Sequence, residues 1–397
     1  MVVILAGVSA ALHLAKLIPA LPVLKDSLGI SLVQAGFLLS TVQMAGMTLG
    51  LVIGVAADGL GLKRSLLSGL CVLFLASALG GFTDIASVLI ALRALEGLGF
   101  LLAVTPAPGL IRRLVTDRRL AGMLGLWGAY MPFAVALALL GGPLVIALGG
   151  WQCLWWGLSL LSLLMLAWVV QVVPADPPKA SFRSAPKSVR ERLRLTLASS
   201  GPWLVALCFA VYSGQWLAVI GFLPMIYSQA GLAVEGASWL TALAAAANMV
   251  GNIASGRALA AGVKVQTLLW TGFGVMGAAA FIAFAEFPFL PWGHPGVTLR
   301  FGALVAFSMV GGVIPGTLFS LAVRLAPGDE TVSTTVGWMQ QCSALGQFFG
   351  PPLVAWVAVH FGGWQWTWVA TGACALLGAW LSWHLGRATA RLPASEV

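Results

Sequence analysis

Only 8% of the 397 residues are charged and 60% are hydrophobic, so an ionisable side chain inside an apolar run stands out. Arg93 and Glu96 lie three residues apart in such a run and share a face if it is helical, where they can pair. The pair can exchange a proton, with burial and the neighbouring guanidinium competing to set the carboxyl's proton affinity. It can equally be a permanently ionised structural pair. His13 and Lys16 share a face in the first apolar run. Lys16 sits roughly eight residues, about 12 Å at 1.5 Å per residue, from the outer edge, too far for its stem to bridge comfortably. Its ammonium is therefore expected to face a cavity and draw in a small anion, with His13 either beside it or a satisfied packing residue. Tyr130, Tyr212, Gln215, Asn248, Asn252, Gln340 and Gln341 add neutral hydrogen-bonding groups in other runs, and each is a candidate for substrate contact or interhelical glue.

Other chemistry finds little support. Cys71, Cys153, Cys208, Cys342 and Cys374 lie far apart in apolar stretches, and His294, His360 and His384 sit near run ends, so neither a metal site nor a disulfide framework is indicated. No GxxxxGK[ST] phosphate loop occurs, so no nucleotide or other cofactor is expected. An enzyme would need converging His, Asp, Glu or Cys groups at one membrane face, and here they are scattered.

The elements that must position these residues follow from the solvent. An ordinary soluble domain carries roughly 25% charged residues, so this chain has too little polar surface for water and its medium is lipid. Apolar runs fall at 2–24, 32–57, 66–82, 85–107, 121–148 and 154–173, then at 203–227, 238–260, 268–284, 301–323, 337–360 and 366–385. Each suffices for a membrane-spanning helix of about 20 residues. The expected fold is therefore an all-α integral membrane protein of about 12 transmembrane helices. The chain opens on an apolar run with no basic leader, so the first span is expected to be retained.

Every second loop is basic: Lys63 and Arg64; Arg112, Arg113, Arg118 and Arg119; Lys179 to Arg194; Arg257 and Lys264; Arg324; and the tail with Arg387 and Arg391. The opposite loops hold Lys25 and Arg300. Because cytoplasmic loops retain lysine and arginine, both termini are expected in the cytoplasm of a bacterial-type inner membrane. The net charge of +9 is then a topology signal rather than a nucleic-acid footprint. Tryptophans such as Trp151, Trp364, Trp366 and Trp368 suit interface belts. The polar segment 174–200, with Pro174, Pro177, Pro178 and Pro186, reads as a flexible cytoplasmic linker ending in a surface-lying amphipathic helix. It separates an N-terminal six-helix bundle, 1–173, from a C-terminal one, 201–397.

The halves repeat. Leu21, Pro22, Gly29 and Gly54 recur as Leu223, Pro224, Gly231 and Gly256, and Pro143-Leu144-Val145 with Gly149-Gly150-Trp151-Gln152 recurs as Pro352-Leu353-Val354 with Gly362-Gly363-Trp364-Gln365. Internal duplication is expected of a secondary transporter with its site between pseudo-symmetric bundles.

The loop after the second run places Gly54, Asp58, Gly61, Lys63 and Arg64 in the pattern G-x-x-x-D-x-x-G-x-[KR]-[KR]. Gly54 permits close helix approach, Asp58 sets a carboxylate beside a helix end, Gly61 allows the reversal, and Lys63 and Arg64 anchor it. This loop resembles the signature of the major facilitator superfamily, and Arg93 to Gly97 resembles its R-x-x-[QE]-G motif. The second-half copy, Gly256 to Lys264, lacks the aspartate. Gly142-Pro143 is similar to the motif of proton-driven drug exporters, with Ile146 and Ala147 where that motif has glycines. Pro19 to Pro22 and the Gln340-Gln341, Gly346-Gln347, Gly350-Pro351-Pro352 segment resemble the cyanate permease group. The resemblance implies two rocking six-helix bundles, a conformational latch at Gly54 to Arg64, a small-molecule substrate such as a small anion, protons as the coupling ion through Arg93 and Glu96, and a monomer in the bilayer. The rivals are a proton-antiporting multidrug exporter and, from another class, a membrane-embedded enzyme or sensor.

Overall fold

In lipid a backbone must satisfy its own hydrogen bonds, and an apolar run does so most simply as a helix. The computed structural model describes residues 1–28, 32–176, 188–229, 231–232, 234–286 and 296–389, and helices account for nearly all of them. Gly29, Ser31, Pro177, Pro178, Lys179, Pro186, His294 and Arg391 lie outside the described residues. Sixteen α-helices follow in chain order among those described: α1 Val2–Ala15, α2 Leu17–Leu28, α3 Leu32–Leu60, α4 Leu62–Gly80, α5 Ala86–Val104, α6 Ala107–Leu114, α7 Asp117–Gly128 and α8 Tyr130–Val172; then α9 Val189–Ala198, α10 Ser200–Gln229, α11 Val234–Ala260, α12 Val265–Phe284, α13 Val297–Gly311, α14 Val313–Arg324, α15 Val332–Phe361 and α16 Thr367–Thr389. Among the described residues nine stretches are long and apolar enough to cross a membrane. One of them, Asp117–Val172, is broken at Gly149 and Gly150, where the backbone leaves helical geometry, and so holds two arms.

Several apolar runs are broken helices rather than single rods. The first is interrupted at Lys16, between α1 and α2, and the fourth at Thr105-Pro106, between α5 and α6. A proline lacks the N–H that would continue the ladder. The repeated Gly-Gly-Trp-Gln segment marks a chain reversal in both copies, with positive φ at Gly150 (77°) and at Gly362 and Gly363 (87° and 148°). Such backbone favours glycine.

The chain forms two compact units. The first comprises Met1–Leu120, Phe133–Trp203 and Ala322–Gln341; the second comprises Ala121–Pro132, Leu204–Leu321 and Cys342–Val397. The linker ends in a helix, α9, in which Arg192 and Thr196 are buried, whereas Val189 is 56% and Leu197 37% exposed.

Candidate functional site

In the first unit the four ionisable side chains singled out above converge. Lys16 stands at the α1–α2 break, His13 one turn before it, and Arg93 and Glu96 face them from α5. Lys16 Nζ donates to Glu96 Oε1 at 2.5 Å and to Ser77 Oγ of α4 at 2.8 Å. It also lies 4.1 Å from the ring centre of Trp155, a cation–π contact. Arg93 Nη1 donates to Glu96 Oε2 at 2.5 Å and to the His13 carbonyl at 2.5 Å. His13 Nε2 bonds Ser162 Oγ at 2.7 Å, and its Nδ1 lies 3.7 Å from Glu96 Oε1.

All four side chains are at most 2% exposed. The ammonium expected to stand free is thus seated on a carboxylate from another helix. Two cations share one anion, and with His13 neutral the cluster carries one excess positive charge away from water. A buried charge is tolerated when paired and hydrogen-bonded, and an excess is what such a site would shed or neutralise.

The second unit holds neutral counterparts. Asn248 Nδ2 donates to the Ser308 carbonyl at 2.7 Å and to Tyr212 Oη at 3.0 Å, and Trp216 Nε1 donates to Ser308 Oγ at 3.0 Å. Asn252 Nδ2 bonds Asn248 Oδ1 at 2.9 Å, one turn away. Tyr130 stacks on Trp127 with ring centres 4.4 Å apart. Gln215 is 3% exposed and both ends of its amide lack a partner, which marks it for substrate or water. Gln340 and Gln341 fall in the first unit with the start of α15, where Gln341 Oε1 accepts from the Leu51 N–H at 2.9 Å. The eight expected contact residues thus divide between the units.

The signature loop lies where α3 ends. Asp58 accepts from the N–H of Ser333 at 3.1 Å, and from the N–H and hydroxyl of Thr334 at 2.6 Å each. These N–H groups open α15, where a helix has no internal acceptor for them and its dipole favours an anion. One turn earlier, a Cβ on Gly54 would stand 2.5 Å from the Ser333 carbonyl, so the two backbones cross in contact. Gly61 turns the chain at φ 111°. Asp176 then accepts from the N–H groups of Lys63 and Arg64 at 3.0 Å each and from Arg113 at 2.9 Å, so it caps the start of α4. Partial burial works against its charge, but those donors outweigh it and hold the Asp176 carboxyl below the usual carboxylate range. Lys63 Nζ in turn reaches the Val170 carbonyl at 2.9 Å and the Val173 carbonyl at 2.5 Å, at the C-terminal end of α8.

Reading the sequence alone leaves out Asp176, Ser77, Ser162, Ser333 and Thr334, and counts Arg192 only among the basic residues of the linker. The first could have been suspected as an acid just past the sixth run; the hydroxyls carry no signal in their own segments.

A model of the Major Facilitator Superfamily matches residues 3–351. The multidrug resistance protein MdtL of Escherichia fergusonii is 26% identical over 333 residues, which cover 82% of this chain and 80% of that protein. The solved structure of the human organic anion transporter MFSD10 (TETRAN) superposes with a TM-score of 0.79 at 16% identity, covering 96% of this chain and 98% of that one. The proton:xylose symporter XylE gives 0.77 at 15% identity, with 97% and 94% covered.

Proposed function

Because the chain belongs to the major facilitator superfamily and is a multi-pass membrane transporter of that fold, with its two six-helix halves, we propose that it couples the passage of a small solute to protons through the Lys16–Glu96–Arg93 cluster. The observation that carries this reading is the burial of that cluster, in which Lys16 and Arg93 both bond the single carboxyl group of Glu96. Arginine keeps its proton under all ordinary conditions. A proton lost elsewhere in the cluster leaves a neutral set; a proton regained restores the excess. Such a two-state group, buried and joined to α1, α4, α5 and α8, can bias which side a transporter opens to.

The bundles 1–173 and 201–397, joined by 174–200, then rock about the site, with both termini on the cytoplasmic side of a bacterial inner membrane. Asp58 of α3, bonded to the start of α15, serves as the latch of one state, released in each cycle. A second reading answers the same excess charge: a small anion as substrate would neutralise it, as the likeness of the first and eleventh spans to the cyanate permease group suggests. The drug-exporter reading takes its support from the name of the MdtL relatives.

Proteoliposomes with an imposed pH gradient, screened for uptake and efflux of small anions, sugars and lipophilic cations, test all three. Glu96→Gln should keep solute exchange, which needs no net proton movement, and lose gradient-driven accumulation. Full accumulation in that variant leaves the cluster a structural role only. Lys16→Gln should weaken an anionic substrate by about ten- to a hundredfold, the value of a charge-assisted contact. Unchanged affinity removes the anion reading.

A further inference from the structure

Arg192 sits in the linker helix α9, and its setting is unusual for a linker cation. It is 7% exposed, its Nε has no hydrogen-bond partner, and no carboxylate lies within ion-pair distance of it among the described residues. A buried guanidinium without an acid needs another source of negative potential. The structure supplies one. A Cβ placed on Gly59 would stand 2.9 Å from Arg192 Nη2 and 3.6 Å from Nη1, so the guanidinium lies over the Gly59 backbone, where any side chain would displace it. Gly59 is in the last turn of α3, the negative end of that helix, and α3 carries no basic residue of its own there.

The rest of α9 is fastened to the same place. It packs against α3 and against the short 3-10 turn Asp329–Thr331 that leads into α15. Just past its end, Trp203 Nε1 donates to the Leu197 carbonyl at 2.9 Å, and the Trp203 ring meets Trp338 of α15 edge-on at 4.6 Å. The linker helix therefore touches α3 and the turn that leads into α15, and the residue that bonds its end, Trp203, touches α15 itself. Asp58 itself is an anion at a helix C-terminus, an unfavourable place that its contacts with α15 offset. A cation at the adjacent residue relieves the same end.

We propose that Arg192 is a positioning residue of the Asp58 latch: seated on Gly59, it holds the end of α3 in the orientation that presents the carboxylate to the start of α15, making the linker helix the latch's third member. The proposal rests on the latch reading of Asp58. It implies that motion or loading of the linker is transmitted to the gate.

Hydrogen exchange on the full chain in lipid nanodiscs reads the latch directly, because the Ser333 and Thr334 N–H groups are its donors. Arg192→Ala and Arg192→Gln should both speed exchange of those two amides by about three- to thirtyfold, the range for a cation at a partly buried helix C-terminus. Arg192→Lys, which keeps the charge, should recover part of the protection, and peptides from α12 should not change. Asp58→Asn is the control that must speed the same amides at least as much. If it does and the Arg192 variants do not, Arg192 is no part of the latch although the latch stands. If Asp58→Asn also leaves the amides unchanged, the latch reading itself fails. Faster exchange across α12 as well would mark Arg192 as a general structural residue and overturn the proposal.

Discussion

The crossing of α3 with α15 and the crossing of α11 with α7 are two versions of one design, and they differ in a single instructive way. In the first, a Cβ on Gly54 would lie 2.5 Å from the Ser333 carbonyl; in the second, a Cβ on Gly256, its repeat partner, would lie 2.5 Å from the Ala121 carbonyl. Each glycine also faces another, Gly337 and Gly125 respectively. The first crossing has Asp58; the second has Ala260 at that place in the repeat. The helix starts explain why. If Ser333 corresponds to Ala121, then Ser333 is the second residue of α15, which begins at Val332, while Ala121 is the fifth of α7, which begins at Asp117. The N–H groups of Ser333 and Thr334 are left over by their helix and need an acceptor, whereas those of Ala121 and Gly122 are satisfied within theirs. Glycine contact is thus shared by both copies. The carboxylate belongs where a helix begins late.

The largest effect should come from the shared feature. Gly54→Val and Gly256→Val each drive a branched side chain into a backbone carbonyl, and over-packing of this kind costs about 1 to 3 kcal/mol, enough to cut turnover by roughly ten- to a hundredfold. Solute flux into proteoliposomes, normalised to reconstituted protein, measures both. A tolerated Gly256→Val alongside a crippled Gly54→Val would break the equivalence of the crossings.

Asp58→Asn comes next and should affect one crossing only. It exchanges charge-assisted contacts for weaker ones, a loss of about 1.5 to 3 kcal/mol in the latched state. Turnover should fall several-fold or more while equilibrium solute binding stays near that of the parent, since the residue lies in the signature loop and not among the candidate contact residues. A parallel loss of binding would move Asp58 from latch to substrate site.

What could be read from the sequence follows the range of each interaction. Helical passes, the break at Gly149-Gly150 and the Arg93–Glu96 pair depend on residues within a few positions of one another, so apolar runs and i,i+3 spacing reveal them. The position of Lys16 within an apolar run is legible in the sequence, but its partner is Glu96, 80 residues away, and only packing brings the two together. The same holds for Asp58, whose motif is plain while Ser333 and Thr334 lie more than 270 positions on. The α9 helix shows a subtler limit. An amphipathic helix can be read there from residues close in sequence, but the burial of Arg192 against Gly59, far earlier in the chain, depends on packing.

The loop that carries Asp58 has a pH limit of its own. Asp176 is held below the ordinary carboxylate range by the Lys63 and Arg64 N–H groups and Arg113. A group depressed in this way adds stability that is complete above its unfolded value, about 3.9, and is lost as pH falls through the lower folded value. Hydrogen exchange at Lys63 and Arg64, corrected for its intrinsic pH dependence, should stay constant from neutral pH down to about pH 5 and rise only well below about pH 4. Asp176→Asn should show the raised rate at neutral pH. Loosening already near pH 6 would mean that another group controls this loop.

The smallest expected effect is the sharpest test of the comparison. Ala260→Asp restores the missing carboxylate at the position that repeats Asp58, and a motif-based view predicts a second latch. The helix starts predict none. With the N–H groups of Ala121 and Gly122 already bonded inside α7, the new carboxylate would find no free donors there. It would sit at the C-terminal end of α11 as an unrewarded anion, a placement that costs about 0.3 to 1 kcal/mol when exposed. Exchange of the Ala121 and Gly122 amides should therefore be unchanged within a factor of about two, with turnover close to the parent's and a slight loss of thermal stability. Slower exchange at those two amides would show that α7 can present a free first turn. The late start of α15 would then no longer explain why Asp58 stands in one half alone.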